Sequence, residues 1–277
     1  MWRKPASMAG LIRRRFKLPA TAPGERIYAV GDLHGRLDLL QVLLRQRELD
    51  AGSRGPASTK LLFLGDVIDR GPQSRALIEL IRRSQADGEG VLLLCGNHEE
   101  LLLASADGNA MAQNVWLGNG GDATLRSFGI APELFTTSPV KKRAGLIRQH
   151  LGQEVLDWLR SLPLCYRSGD YYFCHAGVRP GVSLDAQLRE DLLWIRDEFL
   201  VSRAWHGAVI VHGHSEADAV EEVDNRINVD TGAYRTDILT AIGLEGTSRW
   251  FISTEDAWID PVNLPDATRS SPALGGD

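Results

Sequence analysis

Short apolar runs alternate with segments of helical periodicity through the first hundred residues of the chain. Three apolar runs predict buried strands, at residues 26–31, 61–64 and 91–94. Each run is followed by a predicted helix, at residues 37–49, 75–84 and 100–105. Three strand–helix units in succession predict an α/β sheet.

The pattern changes after the third unit. Residues 107–163 have little strand propensity, which predicts a mainly helical insertion over the ends of the strands. This segment contains a glycine cluster at residues 118–121, which predicts a turn, because no strand precedes it and it lacks the lysine of a phosphate-binding loop. The remaining elements predicted are a strand at 171–174, a helix at 185–199, a strand at 208–211, and antiparallel strands closing a second sheet within 226–252.

Polar residues follow directly on the predicted strands. Asp32 and His34 follow the first strand, Asp66 and Asp69 the second, and Asn97 and His98 the third. In open α/β sheets, ligands bind beyond the carboxyl ends of the strands. In an extended chain alternate side chains point the same way, so Asp32 and His34 can reach one ion while Leu33 turns toward the core. A carboxylate beside an imidazole suits manganese, iron or zinc better than calcium, so this part of the chain predicts half of a two-metal site.

Composition and length place the chain among ordinary globular proteins. With 277 residues, of which 43% are hydrophobic and 24% charged, it can form one large domain or at most two. Its three cysteines form no C-x-x-C spacing, which argues against a zinc ribbon or a disulfide framework. No apolar run approaches the roughly 20 residues that span a bilayer, and no secretory signal is apparent, so we expect a cytoplasmic protein without a transmembrane segment.

Charge is distributed unevenly along the chain. The net charge is −5, yet the first 20 residues contain six basic residues and no acid. We expect a flexible basic arm at residues 1–24, a catalytic domain at 25–262 that includes the insertion at 107–163, and a flexible tail at 263–277. The acidic body argues against extended nucleic-acid binding, which depends on clustered lysine and arginine. The oligomeric state stays open.

Five motifs occur in order along the chain and carry a resemblance to a known family. They are GDLHG at 31–35, GDVIDRG at 65–71, GNHE at 96–99, CHAG at 174–177 and HGHS at 212–215. This set resembles the phosphoprotein phosphatase family of calcineurin-like metallophosphoesterases, particularly its small bacterial and phage members, over residues 27–244. The resemblance implies an α/β (α+β) fold, a four-layer sandwich of two central mixed β-sheets flanked by helices.

The resemblance also implies a binuclear metal site. Its implied ligands are Asp32 and His34 for one ion, Asp66 for both ions, and Asn97, His175 and His214 for the other. The implied cofactors are two divalent or trivalent ions of manganese, iron or zinc, and we expect manganese to support activity in vitro. The implied mechanism is direct, in-line attack on phosphorus by a hydroxide that two such ions share, without a phosphoenzyme. His212 projects from the same side of an extended chain as His214; we favour His214 as the ligand and interpret His212 as structural.

Further residues take roles by the same resemblance. His98, paired with Asp69, is the implied general acid for the departing oxygen. Arg70 is the implied phosphate clamp through its planar donor fork, and Arg196 is a candidate for a second clamp. One departure concerns Cys95, because family members often carry an arginine directly before the GNHE motif.

The resemblance leaves more than one function open. We expect a metal-dependent phosphomonoesterase, specifically a serine/threonine protein phosphatase acting on phosphorylated proteins. The alternative is a symmetrical dinucleoside tetraphosphate hydrolase acting on a small phosphate-containing substrate, since bacterial relatives with these motifs share a stretch like residues 228–233. A third possibility is a non-catalytic binding protein that retains the fold. This possibility is disfavoured because no implied ligand has been replaced.

Overall fold

The computed structural model describes residues 18–88 and 90–256. Most of the predicted basic arm and the whole predicted C-terminal tail lie outside these residues. Cys95, Cys165 and Cys174 are free thiols. Within the part of the chain that the structure describes, no helix has both the length and the apolar character needed to cross a membrane.

Within residues 18–88 and 90–256, ten strands form two five-stranded sheets. The strands are β1 Glu25–Val30, β2 Ser58–Phe63, β3 Val91–Leu93, β4 Cys165–Ser168, β5 Tyr171–Cys174, β6 Val209–His212, β7 Glu221–Val223, β8 Arg226–Asn228, β9 Thr240–Glu245 and β10 Ser248–Ser253. The first sheet has the order β10-β9-β1-β2-β3 and the second the order β4-β5-β6-β8-β7. Strands β1, β2 and β3 are parallel, as are β5, β6 and β8, whereas the outer pairs are antiparallel. Both sheets are therefore mixed.

Helices connect the strands and cover the sheets. They are α1 Leu37–Ser53, α2 Ser74–Ala86, α3 Asn97–Ala106, α4 Ala110–Trp116, α5 Asp122–Ser127, α6 Pro132–Thr137, α7 Val140–Leu151, α8 Gln153–Arg160, α9 Arg189–Trp194, α10 Asp197–Leu200 and α11 Ala233–Thr236. A kinked turn at Leu117–Gly121, in which Asn119 and Gly120 are not helical, joins α4 to α5. Between residues 107 and 163 the described elements are all helical.

The core explains why the inner strands are apolar on both faces. Along β1, Ile27 and Ala29 belong to a cluster that joins the two sheets, whereas Tyr28 and Val30 pack with residues of the covering helices. A strand buried on both faces is a continuous apolar run, which is the pattern seen in the sequence. The predicted four-layer sandwich with two central mixed sheets is thereby confirmed.

Two element predictions are wrong. The helix predicted at 185–199 is broken into α9 and α10, because Arg196 has φ −131° and ψ −106°, outside the helical region. The strands within 226–252 do not all close the second sheet, since β9 pairs with β1 and β10 pairs with β9 in the first sheet. Apolar alternation identifies a strand but does not say which sheet it joins.

Candidate metal centre

The predicted ligands come from loops at one edge of both sheets. The parallel strands β1, β2 and β3 end side by side, and β5 and β6 end at the facing edge of the second sheet. Each loop carries ligands: Asp32 and His34 after β1, Asp66 after β2, Asn97 at the start of α3 after β3, His175 after β5 and His214 after β6. None of these six side chains is more than 6% exposed.

Asp66 lies at the middle of this cluster. Its Oδ2 is 3.7 Å from His34 Nε2 and 3.5 Å from His175 Nε2. The Asp66 carboxylate belongs to two groups of potential metal ligands. One group also contains His34 and His98, and the other also contains His175 and His214. Within each group the ligand atoms lie within 4.8 Å of one another. The carboxylate therefore stands where a ligand common to two ions would stand.

The other predicted ligands complete the cluster. Asn97 Oδ1 lies 2.8 Å from His175 Nε2 and 3.0 Å from His214 Nδ1. Asp32 Oδ2 is 4.0 Å from His34 Nε2, and both Asp32 oxygens accept from the His214 backbone N–H at 3.2–3.3 Å. The structure thus brings all six predicted ligands together.

The backbone conformation of the site differs from the prediction. Strand β1 ends at Val30, and His34 has φ 41°, so Asp32 and His34 do not lie on an extended strand. Among the described residues, six that are not glycine have positive φ, and five of them are predicted site residues: His34, Asp66, Asp69, Arg70 and His214. Such conformations carry strain and persist where surrounding contacts hold them, as is common at functional sites.

The donor atoms fit a metal ion. His34 Nδ1 lies 2.8 Å from the Ile68 carbonyl and His175 Nδ1 lies 3.0 Å from the Leu64 carbonyl, so each ring donates there and turns the lone pair of Nε2 into the cluster. His175 Nε2 then faces the Asn97 oxygen as one acceptor against another. A cation bound between these atoms would relieve this arrangement, and a second hydrogen bond on the far ring nitrogen is typical of metal-binding histidines.

Protonation states also suit a cation. Burial lowers the pKa of His34 to about 3 and lowers the pKa of His214 as well, so both imidazoles are neutral near pH 7. Burial, together with the charges of Asp230 and Asp66, raises the pKa of Asp32 well above its usual range. Among the described residues, His214 Nε2 and Asp230 Oδ2 are buried without a hydrogen-bond partner. Crowded carboxylates and neutral imidazoles of this kind are the ligands of first-row transition metals.

His98 and Asp69 form a buried pair beside the cluster. His98 Nδ1 lies 2.6 Å from Asp69 Oδ2, and His98 Nε2 faces Asp66 Oδ2 at 3.7 Å. Burial disfavours the charged ring, but the charge of Asp66 and the hydrogen bond to Asp69 outweigh it and raise the pKa of His98 to about 9. In the protein without metal ions, the ring therefore carries a proton at neutral pH, with Nε2 toward the site.

The two predicted arginines have different surroundings. Arg70 Nη1 donates to Glu216 Oε1 at 2.8 Å, and its guanidinium carbon lies 4.4 Å from the centre of the Tyr234 ring. Arg196 is exposed at the start of α10. The pKa of His214 is lowered mainly by burial of its own ring, and the positive charge of Arg196 lowers it further. Arg70 is thus held beside the cluster, whereas Arg196 acts on it through its charge.

Another arginine reaches the position before the GNHE motif. Arg189 Nη2 donates to Cys95 Sγ at 3.5 Å, and Arg189 Nε donates to Glu100 Oε1 at 2.7 Å. Trp194 binds the other oxygen of Glu100, and its ring centre is 6.3 Å from that of His214. A guanidinium from α9 therefore lies where the sequence alone showed a cysteine.

His212 does not join the cluster. Its ring centre lies 5.0 Å from that of Phe199, and its Nδ1 lies 3.0 Å from the Gly213 carbonyl. Sequence reasoning missed several residues that contact the predicted site: Trp116, Thr124, Glu216, Asp230 and Tyr234. Local signals lay near all five: Trp116 and Thr124 flank the glycine cluster at 118–121, Glu216 directly follows the HGHS motif, and the stretch at 228–233 includes Asp230 and adjoins Tyr234.

Known proteins similar to this chain are phosphoesterases. The sequence profile of the calcineurin-like phosphoesterase family matches residues 25–238. A symmetrical bis(5'-nucleosyl)-tetraphosphatase of Dechloromonas aromatica is 35% identical over 153 residues, which are 55% of this chain and 44% of that protein. The enzyme of the same name from Methylococcus capsulatus is 32% identical over 154 residues, 56% of this chain and 44% of that protein. The matched segment therefore spans less than half the length of these curated relatives.

Solved structures agree in fold. A cold-active protein-tyrosine phosphatase of a Shewanella species superposes with a TM-score of 0.53 at 19% identity, over 84% of this chain and 83% of that one. At this identity the likeness concerns the fold alone. The profile match, which covers most of the chain, confirms the family that the five motifs predicted: the chain belongs to the calcineurin-like phosphoesterases, a family of hydrolases with a binuclear metal centre.

Proposed function

We propose that this protein hydrolyses dinucleoside tetraphosphates symmetrically, breaking the P–O bond between the second and third phosphates to give two nucleoside diphosphates. The observation that carries the chemistry is the Asp66 carboxylate between two groups of imidazoles. The substrate class is supported by the curated relatives, whose name describes this reaction and whose matched segment covers more than half of this chain. The proposal therefore takes up the alternative that the sequence analysis placed second.

The placement of the side chains supports the ligand roles proposed here. We assign Asp32 and His34 to one ion, Asn97, His175 and His214 to the other, and Asp66 to both. When bound, two such ions neutralise phosphate oxygens and make water available as a nucleophile near pH 7. Mixed nitrogen and oxygen donors suit manganese, iron or zinc.

Other side chains bind the substrate and move the proton. His98 holds a proton on Nε2 and gives it to the oxygen that leaves with the nucleoside diphosphate, while Asp69 fixes the ring through Nδ1. Arg70 binds a phosphate with the part of its guanidinium that Glu216 does not use. Arg196 contributes a second positive charge at the side of His214.

Protein phosphatase activity has weaker support. It rests on the motifs, which both classes share, and on a fold that protein phosphatases and tetraphosphatases also share. A purely binding function is disfavoured, since all six proposed ligands are present and gathered at one point.

The test is a comparison of kcat/KM for diadenosine tetraphosphate and for a phosphothreonine peptide, with added Mn²⁺. We expect the tetraphosphate to have the larger kcat/KM, with ADP as the sole nucleotide product. The Asp66→Asn variant serves as the inactive control, because it removes the shared carboxylate charge. A larger value for the peptide, or AMP and ATP as products, would overturn the proposed substrate.

A further inference from the structure

The Asp69 carboxylate receives hydrogen bonds from two residues of the helical segment that follows α3. Trp116 Nε1 donates to Asp69 Oδ1 at 3.0 Å and to Oδ2 at 2.9 Å. Thr124 Oγ1 donates to Oδ1 at 2.6 Å. His98 Nδ1 meets Oδ2 at 2.6 Å, so each oxygen is bound from two directions. Asp69, Trp116 and Thr124 are all fully buried, which shields the carboxylate from bulk solvent and strengthens these charge-assisted bonds.

The same segment holds the backbone of Asp69 and Arg70. Thr124 Oγ1 accepts from the Asp69 N–H at 2.9 Å, and the Gly120 carbonyl accepts from the Arg70 N–H at 3.0 Å. These two residues have φ values of 71° and 64°, so two successive residues other than glycine occupy the left-handed region. Such a turn relaxes unless contacts fix it.

Close approach of the segment depends on its glycines. A Cβ on Gly121 would lie 2.6 Å from the Trp116 ring, and a Cβ on Gly120 would lie 2.8 Å from Arg70 Cγ. The glycine cluster is therefore a contact surface against the site and not merely a turn.

We propose that Trp116 and Thr124 are positioning residues for the proton donor. They fix the rotation of the Asp69 carboxylate, and Asp69 in turn fixes the His98 ring so that Nε2 faces the site. Neither residue touches substrate. The inference rests on the proposed function, because it assumes that His98 gives its proton to the leaving oxygen.

The test separates this role from a merely structural one by using leaving groups of different quality. Trp116→Phe keeps the ring but loses the donor, and Thr124→Val keeps the shape but loses the hydroxyl. With Mn²⁺, both variants should lower kcat for phenyl phosphate, whose phenolate is a poor leaving group, by about tenfold or more. The reason is that general acid catalysis accelerates such a reaction by about 10² or more. The kcat for 4-nitrophenyl phosphate and both KM values should change much less.

Matched variants control for packing. Thr124→Ser keeps the hydroxyl that Thr124→Val loses, so it should retain most of the rate of the unaltered protein on phenyl phosphate. Trp158→Phe also removes an indole donor from this helical segment, but that donor binds Gln85 Oε1 at 2.9 Å and not Asp69. Its kcat on phenyl phosphate should therefore equal that of the unaltered protein. If Trp116→Phe fails to fold, the valine and serine variants of Thr124 decide the question.

A second readout needs neither metal nor turnover. In the metal-free protein, the NMR signal of the proton on His98 Nδ1 should be retained in Thr124→Ser and lost or shifted in Thr124→Val and Trp116→Phe. His98→Asn is the reference in the kinetic assay. If it shows the leaving-group dependence while Trp116→Phe and Thr124→Val do not, the positioning role is wrong and the proposed function stands. If His98→Asn shows none, the proton-donor role and the positioning role both fail.

Discussion

Asp66 belongs to both groups of potential ligand atoms in the candidate centre. Its Oδ2 faces His34, His98 and His175 at 3.5–3.7 Å, and its Oδ1 accepts from the His98 backbone N–H at 3.0 Å. The residue sits in a left-handed conformation with φ 48°. A carboxylate in this position needs a neighbour that holds its backbone, and Glu99 is that neighbour.

Glu99 braces the loop that carries Asp66. Its Oε2 accepts from the Asp66 and Gly96 N–H groups at 2.9 Å, and its Oε1 accepts from the Val67 N–H at 3.0 Å. Glu99→Gln would turn an amide N–H against at least one of these donors. We expect it to lower the free energy of unfolding by about 1–3 kcal/mol, measured by urea denaturation of the metal-free protein. Glu154→Gln, on an exposed side chain, is the control; equal stability of the two variants would contradict the bracing role.

At the residue scale, sequence motifs located the candidate ligands, which the structure brings together, but not the residues that support them. The candidate ligands could be predicted because strand ends and short motifs keep Asp32, His34 and Asp66 in a recognisable order. The supports reach the site across long separations: Trp116 is 47 positions from Asp69, and Glu216 is 146 positions from Arg70. No local pattern encodes such contacts, because they depend on how distant elements pack.

At the scale of elements, local strand–helix units were predictable and long-range pairings were not. Strands β1, β2 and β3 follow one another with a helix after each, and this order leads directly to parallel neighbours. The β9–β10 hairpin joins β1 although more than 200 residues separate them, as in the pair Arg26 and Glu245. Both sheets bury apolar strands, so the hydrophobic pattern fits either partner.

The kinked turn at Leu117–Gly121 allows a matched test of one element. Gly120 has φ 94° and would place a Cβ 2.8 Å from Arg70 Cγ, whereas a Cβ on Gly118 would meet nothing within 4 Å. Gly120→Ala should lower the free energy of unfolding by about 1–3 kcal/mol, since both strain and contact oppose it, and should raise KM for the substrate by displacing Arg70. Gly118→Ala should be neutral or stabilising in the same denaturation and kinetic assays. Similar losses in both would show that the contact with Arg70 is not what requires glycine.

At the scale of the whole molecule, the centre exists only where the two sheets meet. One sheet supplies Asp32, His34, Asp66 and Asn97, and the other supplies His175 and His214. Contacts that hold the sheets together therefore hold the centre together. An apolar layer lies between the sheets, and Glu25 at the start of β1 adds a polar tie. Glu25 accepts hydrogen bonds from Tyr166 Oη at 2.8 Å and from Ser168, both on β4 of the second sheet. It also forms an ion pair with Lys60 on β2 of its own sheet.

This tie predicts acid lability. Burial opposes ionisation of Glu25, but the hydrogen bonds from Lys60, Ser168 and Tyr166 outweigh it and lower the pKa of Glu25 below its usual 4.5. A lowered folded-state pKa contributes stability that is present above the unfolded value and is lost as pH falls through the folded one. Between pH 7 and pH 3, Glu25→Gln should therefore lose less stability than the unaltered protein, by about 1 kcal/mol or more, in urea denaturation at each pH. Glu154→Gln should follow the unaltered protein, and parallel pH profiles for Glu25→Gln would contradict the tie.

Metal stoichiometry tests the paired site itself. Equilibrium dialysis of the metal-free protein against Mn²⁺ should give two ions bound per chain. Asp66→Asn should lower the affinity for both ions by more than about 100-fold. Loss of a residue that only hydrogen-bonds a metal ligand lowers affinity by about 10- to 100-fold, and loss of a shared ligand should cost more. Asp157→Asn, a change on an exposed carboxylate of α8, should still bind two. A single bound ion in the unaltered protein, or two ions whose affinity Asp66→Asn leaves unchanged, would contradict the account.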